Sequence, residues 1–190
     1  EHYYDSNGRP WKRRFHNIDA TDGSSDDTLT TLRWYDEAGQ LVKEDGQHLV
    51  KRAYNRLGEI THLYILAGDD DSDYDDVLDV AGDVVLQEHQ TVGDESGVLL
   101  TSIIDRHHDD YGTGETLGPL DSDADDDPLK YTAADIKGRI RIKALWRDEI
   151  GRVDDIVDYG TYAGATFDRD QLSVPSVSYT HLTLPTKVTV

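Results

Sequence analysis

Five times along the chain one short pattern returns: a large residue, Asp or Asn, two variable positions, Gly, a polar residue and often a branched apolar one. Three copies are close, Tyr4-Asp5-Ser6-Asn7-Gly8-Arg9, Tyr35-Asp36-Glu37-Ala38-Gly39-Gln40-Leu41 and Tyr54-Asn55-Arg56-Leu57-Gly58-Glu59-Ile60. Two are looser, Leu78-Asp79-Val80-Ala81-Gly82-Asp83-Val84 and Arg147-Asp148-Glu149-Ile150-Gly151-Arg152-Val153, and a sixth, Asp135-Ile136-Lys137-Gly138, lacks the aromatic. The chemistry suits a hairpin turn. Asp or Asn bonds the backbone two residues on and opens the turn, and Gly takes the positive-φ position before the return strand. Tyr then ends the incoming strand, its ring packed and its hydroxyl within reach of a partner. The Gly-to-Gly spacings of 31, 19, 24 and 69 residues drift too far for a fixed-period solenoid and fit hairpins with variable outer loops.

The segments between the turns support strands. From Arg139 to Arg147, Ile140, Ile142, Ala144 and Trp146 alternate with Arg139, Arg141, Lys143, Leu145 and Arg147, a period of two broken only by Leu145. Thr61 to Leu66 and Val84 to Val92 are β-branched and bounded by turn signals, with looser alternation. Leu49, Val50, Ala53, Tyr54 and Leu57 also fit helical spacing, but such a helix would run through the Tyr54-Asn55 turn. The Gly-rich stretch from Gly112 to Pro119 reads as an excursion from the sheet.

Charge narrows the function classes. The chain has 190 residues, 39 acidic against 19 basic, for a formal net charge of −20. Such a field repels phosphate backbones and anionic lipid, so no nucleic-acid partner is expected. No window reaches the ~18 apolar residues of a membrane helix, so no membrane insertion is expected either. Thirty-one of the acids are Asp and eight are Glu, the reverse of what an acidic helical protein would use. Asp clusters at residues 22–27, 69–76 and 121–127, which hold three, six and five Asp and no Lys or Arg. The expectation is a nearly neutral folded scaffold with solvated acidic loops. Cys and Met are both absent. Without Cys there are no disulfides, thiolate metal sites or thiol nucleophiles, and the missing Met suggests a piece of a longer reading frame.

Several side-chain groups bear on function. Asp71, Asp73 and Asp75, and likewise Asp121, Asp123 and Asp125, place oxygens at alternate positions as a calcium loop does. Neither run completes a helix-loop-helix calcium motif: Asp76 and Asp126 stand where Gly belongs, and Gly82 and Thr132 where Glu belongs. Weak calcium binding and a plain solvated loop both stay open, the second being the simpler. His107 with Asp109, or His108 with Asp110, could converge on a metal, but two ligands do not make a site. No Gly-x-Ser-x-Gly elbow, phosphate-binding Gly-x-x-x-x-Gly-Lys run or His-Glu-x-x-His pair is present, so no catalytic residue is expected. The basic residues from Arg139 to Arg152 read as the solvent face of a strand, which discourages edge-to-edge pairing. Tyr3, Tyr4, Trp11, Trp34, Tyr35 and Trp146 could stack on sugars, but at repeat-linked positions they read first as cross-strand packing.

From Ser176 the composition changes, with no acid in the last fifteen residues. Val177 to Thr186 resembles the in-frame translation of a transposase-based sequencing adapter, so residues 176–190 are read as a non-native tail and residues 1–175 as one β-sheet segment truncated at both ends.

The repeated element resembles that of the YD-repeat, or RHS, family, named for its Tyr-Asp pair. Tyr4-Asp5-Ser6-Asn7-Gly8-Arg9 and Tyr35-Asp36-Glu37-Ala38-Gly39-Gln40-Leu41 match well, and Asp105 to Gly114 is similar to a segment of some long bacterial members. Asn55 departs from the pattern in place of Asp, as do Leu78 and Arg147 in place of Tyr. The resemblance implies an all-β fold in which antiparallel hairpin repeats form part of a curved shell. In bacterial members such a shell commonly encloses a C-terminal toxin, and animal relatives use one in adhesion. It also implies a non-enzymatic wall segment, secreted or at the cell surface. Its partners would be neighbouring repeats of the same longer chain and an enclosed C-terminal effector. A calcium-dependent adhesive or carbohydrate-binding β-module is the alternative, and beyond weak calcium no cofactor is expected.

Overall fold

The computed structural model describes residues 1–18, 21, 25–94, 97–106, 117–122, 129–132, 134–162 and 166–171. They form an all-β structure. Its main body is a ten-stranded antiparallel sheet made of β1 (His2–Tyr4), β2 (Pro10–Ile18), β3 (Ser25–Tyr35), β4 (Leu41–Asp45), β5 (Leu49–Tyr54), β6 (Ile60–Gly68), β7 (Val84–Asp94), β8 (Gly97–Arg106), β10 (Gly138–Arg147) and β11 (Val153–Thr161). A second, two-stranded sheet pairs β9 (Lys130–Thr132) with β12 (Thr166–Asp168). The only helical element among the described residues is a 3-10 turn at Asp76–Leu78. Residues 49–54 are extended, so tertiary pairing overrides the helical spacing there.

Each strand of the large sheet pairs with the next one in sequence, apart from β9, which leaves the sheet between β8 and β10. In such a meander, connections alternate between the two ends of the strands. The turns β1–β2, β3–β4, β5–β6, β7–β8 and β10–β11 therefore share one rim. The connections β2–β3, β4–β5, β6–β7 and β8–β10 share the other, where the acidic run at 69–76 lies. This explains the uneven spacing of the repeats, because only every second connection uses the short turn.

Register places side chains in rows across the sheet. One row runs Trp34, Lys43, Lys51, Tyr64, Glu88, Ile104, Ile140, and the next runs Ala53, His62, Gln90, Ser102, Ile142. Both rows lie on the covered face. From β6 to β10 that face carries the core, in which Tyr64, Leu66, Val85, Leu100, Ile104, Ile140, Ile142, Ala144 and Trp146 pack beneath Leu120, Tyr131 and Phe167. Leu120 belongs to the β8–β10 connection, Tyr131 to β9 and Phe167 to β12. The Phe167 ring sits edge-on to Tyr159 and Tyr162, with centroids 5.2 and 5.4 Å away, and Arg169 lies 4.1 Å over the Trp146 ring. In β10 the alternation read from sequence holds: Ile140, Ile142, Ala144 and Trp146 are buried, while Arg139, Arg141 and Lys143 face solvent or are only half-buried.

Candidate functional site

Four of the repeated elements fold into one and the same turn. In each, the Gly N–H donates to the carbonyl of the Asp or Asn three residues earlier, for Gly8 to Asp5, Gly39 to Asp36, Gly58 to Asn55 and Gly151 to Asp148, all at 2.9–3.0 Å. The glycines have φ of 77, 86, 82 and 81°, a conformation that costs other residues about 1–2 kcal/mol. The side-chain oxygen fixes the loop from inside. Asp5 Oδ1 accepts the N–H of Asn7 and Arg9, Asn55 Oδ1 those of Leu57 and Glu59, Asp148 Oδ1 those of Ile150 and Arg152, and Asp36 Oδ1 that of Gln40. These backbone donors hold the Asp5 and Asp148 carboxyls below the ordinary carboxylate value. Every one of the four hairpins also skips one residue in register three positions beyond the turn glycine, at Trp11, Val42, Thr61 and Asp154, a repeated bulge in the return strand.

The fifth and sixth elements fold otherwise. Asp79 Oδ1 still accepts the Ala81 N–H, but Gly82 is not among the positive-φ glycines and the Asp83 N–H turns back to Val80. This segment lies on the opposite rim, where the chain crosses the covered face instead of returning at once. Asp135 to Gly138 is likewise a crossing segment, in which the Lys137 N–H donates to the Leu120 carbonyl and Gly138 opens β10 hard against the backbone of Asp105.

The residue ahead of each turn joins its hairpin to the one before. Tyr35 donates its hydroxyl to the Pro10 carbonyl at 2.9 Å, and Tyr54 donates to the Leu41 carbonyl at 2.8 Å. Pro10 and Leu41 occupy the same place, two residues beyond the turn glycine. Arg147, standing where the others have Tyr, reaches the Val98 carbonyl through Nε and Nη2 at 3.4 and 3.3 Å, one residue beyond the turn glycine Gly97. Tyr4, with no described hairpin before it, is 60% exposed. Contacts in the reverse direction repeat too: Arg9 lies 4.8 Å over the Tyr35 ring and donates to the Asp36 carbonyl, and Gln40 packs against Gly58.

Beneath this rim, two polar clusters occupy the covered face. In the first, Lys43 and Lys51 are directly paired across β4 and β5 and both are buried. Two like charges in that position repel. The β6–β7 connection folds over them and supplies the counter-charges: Lys43 pairs with Asp69 and with Asp71 at 2.6 Å, and Lys51 pairs with Asp71 and Asp83, each at 2.7 Å. Burial lowers the Lys43 pKa, but Asp69 and Asp71 outweigh it and hold the ammonium above its ordinary value. Burial pushes the Asp83 carboxyl up, against the pull of Lys51. The acidic run at 69–76 is therefore partly a lid, not only the solvated loop its composition predicts.

The second cluster ties the β8–β10 connection down. Glu88, 1% exposed, accepts the N–H of Leu120 at 2.7 Å, that of Asp121 at 3.2 Å and Gln90 Nε2 at 2.9 Å. Gln90 also donates to Asp121 Oδ2 and accepts from the Tyr131 hydroxyl at 2.7 Å and Ser102 at 3.3 Å. Burial raises the Glu88 pKa despite these donors, and burial lowers that of His62, which stacks on Tyr64 with centroids 5.8 Å apart. Glu88 and Gln90 were not singled out in the sequence. A bulge at Leu86 between the partners of Ile65 and Leu66 breaks the alternation of β7, which hides their inward aim.

Among the residues read from sequence as calcium ligands, Asp71 is shared by the two lysines, Asp73 Oδ1 accepts the N–H of Asp75 and Asp76, and Asp121 joins the Glu88 cluster. Among the described residues, Asp71, Asp73 and Asp75 do not converge on one point. Asp123, Asp125, His107, His108, Asp109, Asp110 and the tail at 176–190 lie outside the described residues. On the opposite face, His89, Thr91, Thr101, Arg141, Lys143 and Asp158 line a cavity of about 450 Å³. Compared with known proteins, the chain matches no family model and no curated protein sequence.

Proposed function

We propose that this chain is a non-enzymatic wall segment of an RHS or YD-repeat protein. In that role it builds part of the β-shell that encloses or presents a C-terminal effector, in a secreted or cell-surface protein. The observation that carries the reading is the repeated bond from one hairpin to its predecessor, Tyr35 to Pro10 and Tyr54 to Leu41, with Arg147 to Val98 as a substitute. A bond from the residue ahead of a turn to the return strand of the preceding hairpin is a device for adding hairpins one after another, and nothing in it depends on a ligand. Among the described residues the outer edges of β1 and β11 are unpaired, which suits continuation by further repeats.

Two measurements test this. Produced by itself, the 190-residue chain is expected to associate with rising concentration and to melt without full reversibility, because its sheet edges are unpaired; sedimentation showing a dilute monomer that melts reversibly would count against a wall segment. In the parent reading frame, a segment C-terminal to the sheet is expected to resist protease until the sheet unfolds. Equal cleavage with the sheet native and denatured would remove the enclosing role.

A further inference from the structure

The geometry points to a calcium-class divalent cation site on the β6–β7 connection, formed by Asp70, Asp71 and Asp83. One carboxylate oxygen from each of these residues lies within 4.8 Å of the others. Calcium–oxygen distances of about 2.3–2.6 Å place ligands at right angles about 3.3–3.7 Å apart and opposite ligands roughly 4.6–5.2 Å apart, so oxygens this close fall within the span of one coordination sphere. The site differs from the alternating runs in the sequence, since it joins residues from both ends of the connection and leaves out Asp73 and Asp75.

Acidic side chains often gather without an ion, and three further observations separate this group from such a cluster. Asp83 is fully buried; its Oδ2 faces Lys51 at 2.7 Å, and its Oδ1 meets no hydrogen-bond donor. A buried carboxylate oxygen left without a donor is costly, and a metal is one of the few groups that can satisfy it. Asp70 forms no ion pair or hydrogen bond with any described residue, yet its carboxylate lies flat against the Gly82 Cα, where a Cβ would collide with it. The charges also do not balance. Four carboxylates, Asp69, Asp70, Asp71 and Asp83, gather about two ammonium groups, Lys43 and Lys51, which leaves two negative charges for one divalent ion. All the donors are oxygen, which suits calcium or magnesium over softer metals. The bound ion would pin both ends of the acidic lid over the paired lysines.

Isothermal titration of the full chain with calcium chloride at constant ionic strength tests the site. The expected result is one calcium per chain, with a dissociation constant of about 10⁻⁵–10⁻³ M. Asp70→Asn changes an exposed side chain that partners no lysine, so the fold should survive, and binding is expected to weaken at least about tenfold. Gly82→Ala should do the same by displacing Asp70, while Asp73→Asn should bind as the unaltered chain does. Absence of binding at about 5 mM calcium, unchanged affinity in Asp70→Asn, or tighter binding of magnesium than of calcium would overturn the assignment. The site stands on this cluster alone, so its failure would leave the wall-segment reading untouched.

Discussion

The two ends of the large sheet are held by different means. From β6 to β10 the sheet has a lid. The β8–β10 connection, β9 and β12 bury Leu100, Ile104 and Ile142 completely, and Glu88 fastens the lid through two backbone N–H groups. From β1 to β3 no such cover exists among the described residues: on the same face Lys12, Arg14, Thr30 and Leu32 are only half-buried, and His16 and Thr28 are exposed. Between them, β4 and β5 are covered by the acidic connection that neutralises Lys43 and Lys51. The sheet thus continues well past the reach of its own core. Hydrogen-bonded pairing and the hairpin-to-hairpin bonds of the turn rim carry the extension, and these are local, modest contributions of about 0.5–1.5 kcal/mol each.

The comparison can be broken most severely at its midpoint. Lys51→Met removes the ion-pair partner of the buried Asp83 and one of the two partners of Asp71, leaving a buried carboxylate uncompensated, for which a loss of about 3–5 kcal/mol is expected by chemical denaturation. A loss below about 1 kcal/mol would show that the lysine pair contributes little to the covered face. Next, Leu100→Ala in the lidded half should cost about 2–5 kcal/mol, while Leu32→Ala, on the same face in the open half and only half-buried, should cost about 1 kcal/mol or less. Similar losses at the two positions would mean that the open half has a core as well.

The buried polar groups of the covered face should also titrate in separate pH ranges. The folded pKa of Lys43 is raised above 10.5, so its stabilisation is complete below that value and is lost as pH rises through the folded pKa. Tyr64, whose pKa is raised from 10.0 chiefly by burial, adds to the alkaline loss with the same sign. Glu88 has a folded pKa raised above 4.5. Its contribution is therefore complete below 4.5 and falls away as pH rises through the raised value. Glu88→Gln should flatten the decline just above pH 4.5 and leave the alkaline limb unchanged. An unaltered acid limb in that variant would contradict the burial assigned to Glu88. The smallest effect is expected at the rim: Tyr54→Phe should cost about 0.5–1.5 kcal/mol, and Tyr4→Phe, a change in a 60% exposed ring, should cost nothing measurable.

Much of the rim could be read from the sequence, because a turn is a local object. Asp or Asn followed three residues later by Gly carries its own geometry, so Asp5, Asp36, Asn55 and Asp148 could be placed without knowing the rest of the chain. The alternation of β10 was equally plain, since one face of that strand is fully covered. The lids were not legible. That Asp71 and Asp83 turn inward depends on Lys43 and Lys51 pointing the same way from adjacent strands, which is a matter of register. The bulge at Leu86 likewise hid Glu88. Leu78-Asp79 and the residues after it show the converse limit: the same local pattern, placed on the rim where the chain crosses the sheet, folds differently because the Asp70 carboxylate and the lysine pair claim the surrounding space.

Native-state hydrogen exchange read by mass spectrometry tests the graded sheet most directly. Amides of β7, β8 and β10 are expected to exchange only through global unfolding, and those of β2 and β3 through local opening at markedly lower free energy. Equal protection from β2 through β10 would contradict the account, because the open half would then owe its stability to the same core as the lidded half.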